Sequence, residues 1–182
     1  PGLKVVAPGT PEDAKGLLKS AIRSDDPIMF IEHATLYQVR GEVPDGEYTV
    51  PIGVSKVQRP GKDVTIVTYS KGLEISTKAA DQLAAEGMFC SVVHVPTLKP
   101  LADEEIAGHG KATRGAITIE DHNVMGGLGS IISEIYAEHL QKPVKRVGIP
   151  DCFTESDDRD ILLNAYQVNL ETVLAQARSL LK

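Results

Sequence analysis

GAITIEDHNVMGGLGSIISEIYAEHL, residues Gly115 to Leu140, reads as a strand, a glycine turn and a helix in one unbroken unit. Ala116, Ile117 and Ile119 form a short apolar run rich in β-branched residues, and the run stops at Glu120, Asp121 and His122. Those polar residues mark the carboxyl end of a strand in a parallel sheet. Gly126, Gly127 and Gly129 permit tight turning, after which Leu128, Ile131, Ile132, Ile135 and His139 recur at helical spacing. In open α/β sheets such edges hold ligands. Two roles for the glycines follow: exposing backbone N–H groups at the helix start to an anion or cofactor, or letting the helix pack closely on the sheet. The pattern is not a complete dinucleotide fingerprint.

Outward from this unit the alternation continues. A strand over Val64 to Thr68, a helix over Gly72 to Glu86, a strand over Phe89 to Val95 and a short helix over Asp103 to His109 lead into it. A strand over Val144 to Ile149 follows, then a helix capped by Ser156 with Asp157 and Asp158 and running through Tyr166. Asn169 with Glu171 starts a last helix to Leu181. Strands alternating with helices across short joints predict an α/β fold with a parallel-rich sheet covered by helices on both faces.

The first residues make a second, smaller unit. Leu3 to Ala7 is a strand candidate; Thr10 is an N-cap, Pro11 the first helical residue, and Glu12 and Asp13 are acids in the first turn. Ala14, Leu17, Leu18, Ala21 and Ile22 form the apolar face of a helix reaching about Arg23. A strand over Ile28 to Ile31 ends at Glu32 and His33. Pro1 to about Asp45 is too short to close a core alone, so its sheet partners are expected upstream in a longer chain or on another subunit. Residues Gly41 to Pro60 carry many Gly and Pro and read as a surface linker containing an extended segment, with a domain boundary near Val50.

Composition excludes several classes. Nineteen Lys and Arg against 25 Asp and Glu give a net charge of −6 in 182 residues, with no basic run, so nucleic acid is not an expected partner. No apolar stretch approaches the ~20 residues of a membrane span, and a cytoplasmic location is expected. Cys90 and Cys152 lack metal spacing and read as ordinary thiols.

PGLKVVAP followed by PEDAKGLLKSAIRSDDPIMFIEHATLY resembles the beta subunit of the thiamine-diphosphate-dependent first component of 2-oxo acid dehydrogenases. DVTIVTYS, TIEDHNVMGGLGS and VGIPDCFTES resemble the C-terminal domain of transketolase, although Asn123 stands where dehydrogenase beta subunits tend to carry an aromatic residue. Both families share one superfamily architecture. The resemblance implies that residues 1–50 are the end of a pyrimidine-binding domain plus linker, and that residues 51–182 are a complete C-terminal domain.

It also implies chemistry. Thiamine diphosphate with magnesium would act in the complete enzyme, the cofactor supplying a carbanion and an electron sink. The family's cofactor-activating glutamate and its magnesium and diphosphate motif lie upstream of the matching region, so no catalytic residue is expected in this chain and the chain alone is expected to be inactive. Glu32 and His33 would sit near the substrate funnel, and His33 aligns with an arginine that transketolases use for a sugar phosphate. The turn from Ala21 through Ile22 to Asp26 matches a monovalent-cation site of some beta subunits. Glu120, Asp121 and His122, with Gly126, Gly127 and Gly129, are expected to form a structural network or a subunit contact rather than a metal site. His94, His109 and His139 read as structural or exposed. The acidic run from Asp151 to Asp160 reads as a helix start, or as a docking patch for a dehydrogenase acyltransferase core. The expected assembly is a homodimer or an alpha/beta heterotetramer. Three functions fit: a dehydrogenase beta-type subunit, the tail of a transketolase-like enzyme moving two-carbon ketol units, or a non-enzymatic dimerisation or regulatory module.

Overall fold

A computed structural model describes residues 2–182, so Pro1 lies outside the described residues. In chain order the elements are β1 (Lys4–Val6), α1 (Pro11–Ile22), β2 (Ile28–Phe30), a short 3-10 helix (Ala34–Gln38), β3 (Lys56–Arg59), β4 (Val64–Thr68), α2 (Gly72–Ala85), β5 (Cys90–His94), β6 (Thr97–Lys99), α3 (Asp103–Gly110), β7 (Ala116–Asn123), α4 (Leu128–His139), β8 (Val144–Ile149), α5 (Arg159–Ala165) and α6 (Leu170–Leu181). The strands form a five-stranded sheet, β3-β5-β4-β7-β8, and a three-stranded sheet, β2-β1-β6.

In the larger sheet β5, β4, β7 and β8 are parallel and β3 runs antiparallel at one edge. Every residue of β4 and β5 is buried, as expected of strands with helices on both faces. The period of two divides the core. Val64, Ile66, Val92 and Ile117 pack with Leu83 of α2 and Val173 of α6 on one face; Val67 and Val93 pack with Ile106 of α3 and Ile132 and Tyr136 of α4 on the other. Each fully buried aliphatic side chain contributes about 1.5–3 kcal/mol of transfer free energy. Tyr136, not His139, completes the buried stripe of α4, and His139 is exposed. Asp158 rather than Ser156 caps α5, its carboxylate accepting the Asp160 backbone N–H at 3.0 Å.

The smaller sheet corrects one expectation. One neighbour of β1 is β6, paired antiparallel and lying downstream in the same chain, while β2 pairs parallel on the other side. Thr97, Leu98 and Lys99 are too few to show a period, so this strand left no pattern in the sequence. Along α1 the expected cap forms: the Thr10 hydroxyl accepts the Asp13 backbone N–H at 3.1 Å and donates to the Asp13 carboxylate at 2.8 Å. The expected apolar face is only partly covered, with Leu17 buried but Leu18 and Ile22 exposed, because the strap over this helix reaches only one side of it.

That strap is the segment read as a linker. The Tyr48 hydroxyl donates to the Glu12 carbonyl at 3.0 Å, the Ser20 hydroxyl donates to the Val50 carbonyl at 2.5 Å, and Gly16 allows Tyr48 and Val50 to lie against the helix. Residues Lys56 to Arg59 then become the edge strand of the larger sheet. The two sheets are joined by a buried polar cluster. Asp13, fully buried, accepts from the Lys56 ammonium at 2.8 Å and faces His94 at 3.4 Å. Among the described residues neither ring nitrogen of His94 has a hydrogen-bond partner, and burial holds its pKa well below the ordinary value.

Candidate functional site: a cleft between the carboxyl ends of two sheets

The carboxyl ends of β1 and β2 face those of β4 and β7 across a cavity of about 530 Å³. In the larger sheet the chain leaves β4 for β5 on one side and leaves β7 for β8 on the other, so β4 and β7 flank the point where the winding reverses. Ligands of doubly wound sheets bind in that crevice. Glu32 and His33 enter it from the end of β2, and Asp121 and His122 from the end of β7. The structure thus brings together residues that the sequence presents as two unrelated strand ends.

A bulge aims the second pair. Ile119 pairs with Val147 and Asn123 with Ile149, so Glu120, Asp121 and His122 together lie opposite Gly148 alone. The strand therefore continues through these three residues instead of stopping before them. Gly148 leaves room for the bulge, since a Cβ there would come within 2.9 Å of the His122 carbonyl oxygen. Asp121 and His122 are exposed towards the cleft while Glu120 turns inward and is buried.

Glu120 explains the glycine turn. The Gly129 backbone N–H donates to Glu120 Oε1 at 2.9 Å, so a side-chain carboxylate of the same unit already occupies the start of α4. A Cβ at Gly129 would lie 2.7 Å from that oxygen and 2.7 Å from Thr118 Oγ1, and Gly127 folds over the second carboxylate oxygen, which has no hydrogen-bond partner among the described residues. Gly126 adopts φ +74°, a left-handed conformation open to glycine. Burial raises the Glu120 pKa, opposed by the backbone hydrogen bonds at the helix start. Asn123 ties the turn down: its Oδ1 accepts the Met125 N–H at 2.7 Å, and its amide donates to Asp151 at 3.1 Å.

His33 is held in one tautomer. The Thr35 backbone N–H donates to His33 Nδ1 at 3.2 Å, and a backbone amide can only donate, so Nδ1 is the acceptor and the ring proton sits on Nε2. Nε2 faces Asp121 Oδ2 at 3.5 Å. Burial lowers the His33 pKa, Arg159 lowers it further, and Asp121 opposes both. His33 is therefore neutral near pH 7. The fixed positive charge in its place is Arg159, which pairs with Asp121 and reaches the Thr35 hydroxyl at 3.5 Å. Sequence reading missed Arg159, although a lone basic residue inside an acidic run was its available signal. Glu32 accepts from the Tyr37 hydroxyl at 3.1 Å.

The remaining sequence candidates lie elsewhere. The Ala21 carbonyl accepts the Ser24 N–H at 3.3 Å, and Asp26 pairs with Lys4 at 2.7 Å, so both groups have partners within the chain. His109 meets Ser55 at 2.9 Å and joins α3 to the start of β3. Among the described residues no three His, Cys, Asp or Glu converge to hold a metal ion, and no helix is long and apolar enough to cross a membrane.

Residues 53–173 match the model of the transketolase C-terminal domain, and the chain belongs to that family. It is 40% identical over 178 residues to the pyruvate dehydrogenase E1 component subunit beta of Bacillus subtilis, covering 94% of this chain and 55% of that protein. It is 39% identical over 156 residues to the 2-oxoisovalerate dehydrogenase subunit beta of the same organism, covering 83% and 48%. The chain thus spans about half the length of these relatives. Among solved structures, a split-gene transketolase described as an inactive beta4 tetramer superposes with a TM-score of 0.85 at 30% identity, covering all of this chain and 58% of that one. A transketolase from Leishmania mexicana superposes at 0.70 and 20% identity over 25% of its length, a likeness of fold.

Proposed function

We propose that this chain is the C-terminal portion of a thiamine-diphosphate-dependent 2-oxo acid dehydrogenase beta-type subunit. In that reading residues 1–50 end a pyrimidine-binding domain and residues 51–182 form the C-terminal domain. The observation that carries the choice is the neutral His33. A ring whose Nδ1 accepts a backbone N–H cannot hold a sugar phosphate as an arginine does, whereas a 2-oxo acid brings no phosphate to be held. The likeness to dehydrogenase beta subunits over most of this chain supports the same choice.

Among the described residues no three His, Cys, Asp or Glu converge on a metal ion. When bound in a complete enzyme, thiamine diphosphate would supply the carbanion chemistry. This chain's part is to line the substrate approach: His33 presents an Nε2 proton, and Asp121 and Arg159 fix its orientation across the two sheets. The partners in this reading are alpha subunits and a second copy in a heterotetramer, with Asp157 and Asp158 facing an acyltransferase core. A second reading, a beta chain of a split transketolase, draws on the solved neighbour of that title.

The test is reconstitution. The chain, joined to or co-expressed with the polypeptides encoded beside it, is assayed with thiamine diphosphate and magnesium for 2-oxo acid decarboxylation and for ketol transfer from a sugar phosphate. Decarboxylation is expected; ketol transfer alone overturns the dehydrogenase reading. Turnover by the purified chain by itself would overturn its dependence on partners.

A further inference from the structure

Among the described residues three histidines face a carboxylate, and two of these pairs already hold a cation. His33 lies 3.5 Å from Asp121, which pairs with Arg159, and His94 lies 3.4 Å from Asp13, which pairs with Lys56 at 2.8 Å. The third pair, His109 with Glu105, has no Lys or Arg beside it among the described residues. These two stand one helical turn apart on α3, so their side chains share a face, with His109 Nε2 3.7 Å from Glu105 Oε1. Ser55, where the strap enters β3, completes the group. Its hydroxyl lies 2.9 Å from His109 Nε2 and also donates to Glu105 Oε1, and its backbone N–H donates to the same oxygen at 3.0 Å.

This is not the arrangement of an activated serine. There the carboxylate orients the imidazole through Nδ1 and leaves Nε2 for the hydroxyl, whereas here Glu105 and Ser55 meet the same nitrogen. Three donor atoms thus face one another in a triangle with edges of 2.9 and 3.7 Å and a third, shorter one. Donors bound to one tetrahedral ion at ~2.0–2.2 Å stand roughly 3.4 Å apart. We propose that Glu105, His109 and Ser55 bind a Zn²⁺ ion, with water in the fourth position. Parting the Ser55 hydroxyl from Glu105 admits it, and the side chains of His109 and Glu105, 22% and 33% exposed, leave the approach open to solvent. An imidazole with two oxygen donors suits Zn²⁺ better than Mg²⁺ or Ca²⁺, which take oxygen alone. The end of α3 already draws one cation, since the Lys142 ammonium lies 3.0 Å from the Gly110 carbonyl oxygen and 2.8 Å from that of Lys111. The ion fastens the end of the strap to α3. It requires neither thiamine diphosphate nor a partner, and it stands apart from the dehydrogenase reading.

The experiment is a calorimetric titration with zinc chloride of the chain, stripped with EDTA and returned to EDTA-free buffer containing magnesium, with ¹H–¹⁵N correlation spectra to place the ion. A single saturable site is expected, with shifts at the amides of Ser55, Glu105 and His109. Glu105→Gln and His109→Gln should each weaken binding at least about tenfold. Both keep a hydrogen-bonding group at a partly exposed position, and the dispersion of their spectra reports that they fold. His139→Gln, which alters an exposed histidine of α4, should leave the affinity unchanged. Zinc should raise the urea midpoint of the wild type and not that of His109→Gln. Three outcomes overturn the proposal: no saturable binding in the presence of magnesium, unchanged affinity in His109→Gln, or an equal loss in His139→Gln.

Discussion

The two sheets begin from similar stretches and end in different states. VTIVT in β4 and IMF in β2 are both short uncharged runs rich in apolar residues, yet every residue of the first is buried and none of the second is. An apolar run states what a strand requires of its surroundings. In β4 those surroundings are two neighbouring strands and two layers of helix; in β2, an edge strand, they are β1 and part of α1, with Met29 and Ile31 exposed beside it. The larger sheet therefore holds most of the stabilising burial, and the smaller one depends on its attachment to it.

The strongest challenge to this contrast is Ile66→Ala, which opens a cavity in the finished core and should cost about 3–4 kcal/mol in urea unfolding. Lys56→Met comes next. It strips the ammonium from buried Asp13, and with Lys56 itself partly exposed the cost should be about 2–3 kcal/mol. Hydrogen exchange should then accelerate in β1 and β6 before β4. Glu120→Ala deprives the Gly129 amide of its acceptor and should cost about 1–2 kcal/mol, whereas Glu120→Gln should lose less than half of that. Met29→Ser, on the unfinished sheet, should change stability by less than about 0.5 kcal/mol.

Acid sharpens the comparison at the junction. His94 is held neutral by burial, with a pKa of about 4 against an ordinary 6.5. Between those values the unfolded chain binds a proton that the folded chain refuses, so this residue's contribution falls as pH drops through the window and is constant above it. Glu120 has the opposite sign, because its raised pKa makes the folded chain the better proton acceptor just above the ordinary carboxylate range. Stability measured against pH in Glu120→Gln should fall more steeply on acidification than in the wild type, and adding His94→Leu should flatten it.

The larger sheet was legible because its strands and helices are long enough to show a period, and because Asn169 and the glycine turn lie where the sequence places them. Three features escaped. β6 is three residues long, the strap from Gly41 is irregular backbone held by Tyr48 and Ser20, and the β7 bulge exists only relative to its neighbour β8. The cleft was legible as two separate strand ends. Their meeting depends on how β1 docks beside β6, which no local pattern encodes.

The pairing of β6 with β1 also bears on descent. The segment that matches the transketolase C-terminal domain contains β6, yet that strand's hydrogen bonds belong to the sheet of the segment before it. A recombination event that transplanted residues 53–173 into a new host would carry along a strand with no partner of its own. It would succeed only where the host offered an edge of the same length, direction and bulge. The two segments are thus one structural unit through β6, and parting them would leave the ladder hydrogen bonds of that strand open.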